Sequence, residues 1–317
     1  MKTILITDTH FGVKQNSMTW LNSQIRFIEN QLIPYIKSQK EPIKLIHLGD
    51  VFDSRSSVST YVATKIIYIF KKLREVVNEF IIIAGNHDFY SPNSDEVDTI
   101  TLLLKDIGAK LVIKDIVIDG INMYVPWYQW ESPNLQSIID QNNIKNIFTH
   151  ADIVTQKVNI KNCNIYSGHL HIPYIKGRIR NLGSCYALNF GDSNAPRGFY
   201  VINDDKLQFV ENEESIKFHR LYNDDIFKDL SHIKQNDYIE VYVNQQNLST
   251  SQYNIKISEL TKSYKNIWVI PQIITIYSND NITFDGYDMN NVITEMIPEN
   301  LLDKFNIVLG SINGNII

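Results

Sequence analysis

Five short runs of metal-binding residue types, each directly after an apolar stretch, constrain this 317-residue chain more than any other feature. The runs are Asp8-Thr9-His10, Gly49-Asp50-Val51-Phe52-Asp53, Gly85-Asn86-His87-Asp88, His150 and Gly168-His169-Leu170-His171. Five of the eight histidines in the chain fall inside these runs. In α/β sheets the ligand crevice lies outside the carboxyl ends of the strands. The five runs are therefore expected to converge on one rim.

The first two hundred residues alternate apolar runs with longer helical patterns, which predicts an α/β sandwich. Strands are predicted at 4–7, 43–48, 80–84, 121–125, 146–148 and 164–167, with a hairpin over 199–210. Helices are predicted at 20–37, 58–77 and 94–107, the last with Ser94 as N-cap and Gly108 just after its end. Beyond these, strands are predicted at 238–243 and 267–277, and a helix near 298–305. A composition change predicts two domains, 1–220 and 221–317.

Charge and hydropathy argue against several classes of protein. A net charge of −5 is unlike a protein that binds nucleic acid through bulk positive charge, although a local site can still be positive. The apolar run at the start is too short for a signal peptide, and none approaches the ~18 residues of a membrane span. Cys163 and Cys185 form no CxxC pair and are expected to be reduced thiols. These features predict a cytoplasmic protein.

The chemistry of the five runs is that of a pair of divalent ions. Carboxylate oxygen, amide oxygen and neutral imidazole together suit manganese, iron or zinc. A carboxylate such as Asp50 can bridge two ions, and ions ~3.5–4 Å apart can clamp the attacking and leaving oxygens of a phosphoryl group. In Asp-x-His and His-x-His, alternate side chains of an extended segment point to the same side. The sequence therefore predicts a two-metal phosphoesterase.

The same series of motifs resembles the calcineurin-like metallophosphoesterase superfamily. Within it, the chain resembles most the SbcD-type nuclease subunit of the complex that processes DNA double-strand breaks, including bacteriophage relatives. The narrower resemblance rests on residues 8–12, 49–55, 85–88, 182–184, 189–192 and 197–201. It covers roughly residues 1–215, and the C-terminal third carries no matching motif. The resemblance implies a four-layer α/β/β/α sandwich with a small C-terminal α+β capping domain.

The resemblance also implies a role for each motif residue. One ion would be held by Asp8, His10 and His171, the other by Asn86, His150 and His169, with Asp50 bridging the two. His87 would not be a ligand but the general acid that protonates the leaving oxygen. Asp53 would hydrogen-bond His87 and hold its tautomer. Arg55 would contact the substrate phosphate.

The function implied is a Mn²⁺-dependent DNA exonuclease or endonuclease with two divalent ions. Such a subunit acts in DNA repair and recombination with an SbcC-like coiled-coil ATPase, as a homodimer, in the cytoplasm (the host cytoplasm if the gene is carried by a phage). Segment 298–305 could bind the ATPase or pack on the cap. Relatives dimerise through helices near 58–77. In this chain the pattern of helix 58–77 fits a solvent-exposed amphipathic face nearly as well as a dimer interface.

Two other functions are open. One is a phosphatase or small-molecule phosphodiesterase of the same superfamily. Protein phosphatases of this superfamily have Arg after the second Asp and Gly-Asn-His-Glu, whereas this chain has Ser54 and Asp88 at those places. The other is a catalytically idle structural subunit of the ATPase complex. The presence of every expected ligand and of His87 disfavours it.

For some residues near or outside the motifs, a role other than metal binding or catalysis is predicted. His47 lies inside a predicted strand and is expected to be a core histidine with satisfied hydrogen bonds. His219 and His232 are expected to face solvent. An aromatic cluster follows Pro126 and could stack on a base, but packing or loop anchoring is favoured. Its members are Trp127, Tyr128 and Trp130.

Overall fold

The computed structural model describes residues 1–154, 160, 162–193, 195–204 and 206–272. Its strands are β1 (Lys2–Ile6), β2 (Ile43–His47), β3 (Glu79–Ile83), β4 (Phe89–Ser91), β5 (Ser94–Asp98), β6 (Lys110–Val112), β7 (Val117–Asp119), β8 (Asn122–Val125), β9 (Asn146–Thr149), β10 (Asn164–Ser167), β11 (Tyr174–Lys176), β12 (Ile179–Asn181), β13 (Gly198–Asn203), β14 (Lys206–Glu211), β15 (Phe218–Tyr222), β16 (Tyr238–Asn244) and β17 (Asn266–Gln272). Its helices are α1 (Val13–Asn16), α2 (Met18–Arg26), α3 (Ile33–Ser38), α4 (Thr60–Val76), α5 (Thr99–Leu104), α6 (Leu135–Gln141), α7 (Gln245–Leu248) and α8 (Ser251–Ser263). A π-helical turn, Phe27–Leu32, joins α2 to α3.

Two six-stranded sheets form the body of the protein. The first has the order β14-β13-β1-β2-β3-β6, with β1, β2, β3 and β6 parallel and β13 antiparallel to β1. The second has the order β11-β12-β10-β9-β8-β7, with parallel pairing from β12 through β8. Parallel strands point their carboxyl ends to one edge of each sheet. The loops after β1, β2, β3, β9 and β10 carry the five motifs.

The two sheets pack face to face and each is covered by helices. Between them lie apolar side chains of both sheets, where the ring of Phe148 stacks on Tyr124 and Tyr166 with centroids 5.5 and 5.3 Å apart. The outer face of the first sheet packs against α2, α3 and α4. The outer face of the second sheet packs against α6. These four layers confirm the predicted α/β/β/α sandwich.

Helix α4 shows why the helical pattern is reliable where it is long. Val62, Ile66, Ile69 and Leu73 recur at helical spacing and are all buried. Each such side chain contributes roughly 1.5–3 kcal/mol when it is fully buried. The Ser59 hydroxyl caps the helix by accepting from the Val62 N–H.

The predicted helix 94–107 is wrong in its first half. Ser94–Asp98 form β5, which pairs with β4, and the helix begins only at Thr99. The N-cap is Asp98, whose carboxylate accepts from the Thr101 N–H at 2.5 Å, and not Ser94. A 3₁₀ turn, Lys105–Ile107, continues α5 to the predicted end, and Gly108 follows this turn in a left-handed conformation with φ of 80°.

A third sheet follows the sandwich. Strands β15, β16 and β17 are parallel and bury a separate apolar cluster against α8, including Ile239, Val241 and Leu260. The predicted boundary at residue 220 stays a prediction, since part of segment 221–317 lies outside the described residues. The end of the predicted strand 267–277 and the predicted helix near 298–305 also lie outside the described residues, so they stay predictions. Among the described residues, no helix is both long and apolar enough to cross a membrane.

Candidate metal centre

The structure brings the predicted ligands together in two groups at the carboxyl ends of the strands. The first group joins the loop after β1 to the loop after β10. The Nε2 atoms of His10 and His171 lie 3.1 Å apart, and Asp8 Oδ1 lies 3.8 Å from His10 Nε2. A ligand atom of each of these three residues lies within 4.8 Å of the others. Two nitrogens and one carboxylate thus face one point.

The second group joins the loop after β3 to the loops after β9 and β10 of the second sheet. Asn86 Oδ1 lies 3.1 Å from His150 Nε2 and 3.0 Å from His169 Nδ1. His150 is buried, and its Nδ1–H donates to the Leu48 carbonyl at 2.8 Å. That bond leaves Nε2 of His150 as the free nitrogen that faces the group. One amide oxygen and two imidazoles therefore converge on a second point.

Asp50 stands between the two groups. Its Oδ2 lies 3.3 Å from His150 Nε2 and 3.7 Å from His10 Nε2. Its Oδ1 accepts the N–H of His87 at 2.8 Å, which fixes the orientation of the carboxylate. A single carboxylate thus faces both clusters of donors.

The charges of the centre fit divalent cations. Asp8, His10, Asp50 and His150 are all buried. Burial raises the pKa of Asp8, but the hydrogen bond to His10 and the charge of His150 outweigh it and lower the pKa to about 2. Burial lowers the pKa of His150, but the adjacent Asp50 carboxylate raises it to about 9. A buried cluster of two carboxylates therefore holds positive charge strongly, as a cation site does.

Asp88 organises the loops that carry the ligands. Its side chain is completely buried and accepts four main-chain N–H groups. These belong to Gly85, Asp50, Val51 and Phe52, at 2.8 to 3.3 Å. One carboxylate therefore ties the loop after β2 to the loop after β3, and holds Asp50 beside Asn86. The sequence placed Asp88 in a motif without this role.

Close approach of the backbone, rather than a turn, explains two glycines. A Cβ at Gly168 would collide with the hydroxyl of Thr7 and the carboxylate of Asp8. A Cβ at Gly85 would collide with the main chain and carboxylate of Asp50. Neither glycine has a positive φ, so a left-handed turn does not require either of them.

Four of the predicted ligands have strained backbones. Asp8, His10, Asp50 and His169 all adopt positive φ, between 42° and 83°. Such conformations cost of order 1–3 kcal/mol each in a non-glycine residue and persist only where the surroundings enforce them. Their concentration at one rim marks it as a functional site.

The predicted contact between Asp53 and His87 is made by a different atom. His87 Nδ1 donates to the main-chain carbonyl of Asp53 at 2.6 Å. The Asp53 carboxylate instead faces His10, with its Oδ1 3.6 Å from His10 Nδ1. The tautomer of His87 is thus fixed as expected, with Nε2 free, but through the backbone. The structure also places His87 within reach of His10 and Asp50 as one of a group that could hold a metal.

Several supporting contacts were not predicted from the sequence. Asp192 Oδ2 lies 3.8 Å from His171 Nδ1, and Arg197 donates to the main-chain carbonyl of His171. Trp127 packs on His169, with ring centroids 4.8 Å apart. The only signal for Asp192 and Arg197 was their place in the later stretch that resembles the family. Geometry alone shows what they touch.

The predictions for residues other than the proposed metal ligands have mixed outcomes. His47 is buried and contacts the Thr9 hydroxyl at 2.9 Å, which confirms it as a satisfied core histidine. His232 is exposed as predicted, but His219 is partly buried and pairs with Asp237 at 3.0 Å, so that prediction was wrong. In the aromatic cluster, Trp130 is buried and Tyr128 donates to the Ser91 carbonyl. Packing and loop anchoring are therefore confirmed for these two. Contact between Arg55 and a phosphate stays a prediction.

Residues 1–257 match the family model described as Calcineurin-like phosphoesterase. Since the match covers well over half of the chain, the protein belongs to the calcineurin-like phosphoesterase family. It is therefore a metal-dependent phosphoesterase, as its motifs predicted.

Named relatives are similar to the chain over different lengths. Exonuclease subunit 1 of Enterobacteria phage T4 is 22% identical over an alignment of 322 positions, which covers 94% of this chain and 92% of the phage protein. The DNA double-strand break repair protein Mre11 of Saccharolobus solfataricus is 32% identical over 124 residues, covering 37% of this chain and 32% of that protein. The crystal structure of the Pseudomonas putida nuclease MPE is 16% identical, with a TM-score of 0.32, over 56% of this chain and 66% of that one.

Proposed function

We propose that this protein is a DNA nuclease that uses two Mn²⁺ ions to hydrolyse phosphodiester bonds. The observation that carries the proposal is Asp50, whose Oδ2 faces His10 on one side and His150 on the other. A single ion would need only one of the two donor groups. A carboxylate shared by both groups suits a pair of ions.

In this proposal one ion is held by Asp8, His10 and His171, the other by Asn86, His150 and His169, with Asp50 bridging. When bound, the ions activate water and neutralise charge on the phosphate. Mn²⁺ accepts both the hard carboxylate and amide oxygens and the imidazole nitrogens of this set. Hydrogen bonds within the protein orient these donors, because His150, Asp50 and Asp8 each have hydrogen-bond partners.

His87 is proposed as the general acid. Its Nδ1–H donates to the Asp53 carbonyl, so a second proton on the ring sits on Nε2. The ring lies edge-on to His10, with centroids 5.1 Å apart, and is partly exposed. It can therefore reach a leaving oxygen at the centre and exchange its proton with solvent afterwards.

DNA as the substrate is supported by the relatives rather than by charge. The phage relative is named as an exonuclease subunit and matches nearly the whole chain, and Mre11 is named for double-strand-break repair. Because the phage relative is named as a subunit, we extend the proposal to a complex with an SbcC-like coiled-coil ATPase in the cytoplasm. For a homodimer, α4 offers the exposed rings of Tyr61 and Tyr68.

The test compares substrates for the purified protein with Mn²⁺, alone and with an SbcC-like ATPase. Linear DNA and bis(p-nitrophenyl) phosphate are assayed side by side, and the Asp50→Asn variant is the control for contaminating nuclease. We expect both substrates to be cleaved by the wild type and neither by the control. Cleavage of the small diester with DNA untouched, even in the presence of the ATPase, would reject the nuclease proposal and favour a small-molecule phosphodiesterase.

A further inference from the structure

An open groove of about 500 Å³ adjoins the metal centre on the side of His171. One wall consists of Ile172, Pro173 and Tyr174, and the polar lining includes His169 and His171. Two of the predicted ligands therefore belong to both the groove and the metal centre. Whatever occupies the groove lies beside the phosphate that the metals hold.

The apolar wall is held in its exposed position. Ile172 and Tyr174 are 54% and 40% exposed. The main chain beneath them is fixed, because buried Asn181 donates to the carbonyls of Leu170 and Ile172 at 2.7 and 2.9 Å. The Ser184 N–H adds a bond to the His171 carbonyl at 3.1 Å. These side chains thus form an exposed apolar surface on a rigid support, which is a feature of ligand-binding grooves.

We propose that this groove binds one unpaired nucleobase of the DNA strand being cut, stacked on the Tyr174 ring. The inference rests on the proposed nuclease function. A base has apolar faces that match the wall formed by Ile172, Pro173 and Tyr174. The carboxylate of Asp192 also lines the groove, so a neutral base suits it better than a second phosphate does.

The groove therefore defines a substrate class. A base that is paired inside a duplex cannot turn its face to Tyr174 without first leaving the stack, which takes a few kcal/mol. A base at a frayed end or in a single strand is already free. The inferred substrate is thus DNA with unpaired nucleotides at the point of cutting, and stacking supplies about 1–3 kcal/mol per base.

The experiment compares two single-stranded oligomers of equal length in Mn²⁺. One is oligodeoxyadenylate, and in the other every nucleotide is the tetrahydrofuran abasic analogue, which keeps the phosphodiesters but has no base. We expect wild type to prefer the oligomer with bases in kcat/KM. Tyr174→Ala should reduce this preference by about 5- to 150-fold, the equivalent of the stacking energy, while cutting the abasic oligomer at the wild-type rate.

Matched variants separate stacking from general damage. Tyr174→Phe keeps the ring and should retain the preference, and Ile172→Ala should reduce it less than Tyr174→Ala does. Tyr222→Ala removes another exposed tyrosine, on the third sheet, and should change neither substrate. Equal cutting of both oligomers by wild type, or equal slowing of both by Tyr174→Ala, would overturn the groove assignment alone. If wild type cut neither oligomer yet hydrolysed small diesters, the proposed function itself would fail and the inference with it.

Discussion

The two sheets contribute halves of the metal centre that are built in different ways. The first sheet supplies Asp8, His10 and Asp50, all buried, together with the half-buried Asn86, and Asp88 ties the loop of Asp50 to the loop of Asn86. The second sheet supplies three histidines, of which only His150 is buried. His169 and His171 are partly exposed and border the open groove. The comparison indicates a rigid, charged platform opposite a more open rim where substrate enters.

The sharpest test of this comparison removes one ligand from each half. Asp50→Ala should lose both ions and on the order of 10³-fold or more in turnover, since Asp50 faces both groups. His169→Ala should lose one ion and retain the other. Elemental analysis of the purified variants, with activity measured alongside, reports both. One ion retained in Asp50→Ala would show that the two sites do not share this carboxylate.

His87 belongs to the first sheet's loops but is not a proposed ligand. We expect His87→Ala to keep both ions and to lose about 10²- to 10⁴-fold in kcat, the usual contribution of a general acid. Metal content by elemental analysis and kcat on DNA make the measurement. A variant that has lost an ion would instead place His87 among the ligands, as its proximity to His10 and Asp50 allows.

Asp88 tests whether the platform is as rigid as its hydrogen bonds indicate. Asp88→Asn replaces an oxygen that accepts N–H groups with an NH₂ group, so buried donors face a donor. We expect a loss of about 3 kcal/mol in the free energy of unfolding, measured with denaturant on metal-free protein. The exposed Asp106→Asn should change it by less than about 0.5 kcal/mol. If the Asp88→Asn variant and the wild type had the same free energy of unfolding, Asp88 would not be what holds the loops.

A change of pH should have a more gradual effect, to which both halves of the centre contribute. Asp8 and Asp50 have lowered pKa values, about 2 for Asp8, and stay ionised above pH 4. His150, with its pKa raised to about 9, must lose a proton to bind a metal. The raised pKa of His10 acts in the same direction. Mn²⁺ affinity should therefore rise with pH from 6 to 9, by about tenfold per unit for each proton released. Calorimetric titration at several pH values measures it, and a flat profile would contradict it.

The sequence predicted which motif side chains lie together, because each motif directly follows an apolar strand, and strand ends in parallel sheets have a fixed place. What it missed depends on distance in the chain. Asp192 and Arg197 support His171 from a later loop, and no periodicity points to that contact. Asp53 acts on His87 through its carbonyl, which every residue type has, so its identity gave no signal. The start of helix 94–107 failed because pairing with β4 overrode a short helical pattern.

The shared position of Asp50 also has a mechanical consequence. Each proposed ion has ligands from both sheets, so a bound ion acts as a cross-link across the open edge of the sandwich. An ion that binds only the folded state adds about 2.7 kcal/mol of stability at a hundred times its dissociation constant. Chelation would then loosen the seam between the two sheets at the edge where substrate arrives. The melting temperature of this protein would thus report how fully its metal centre is occupied by ions.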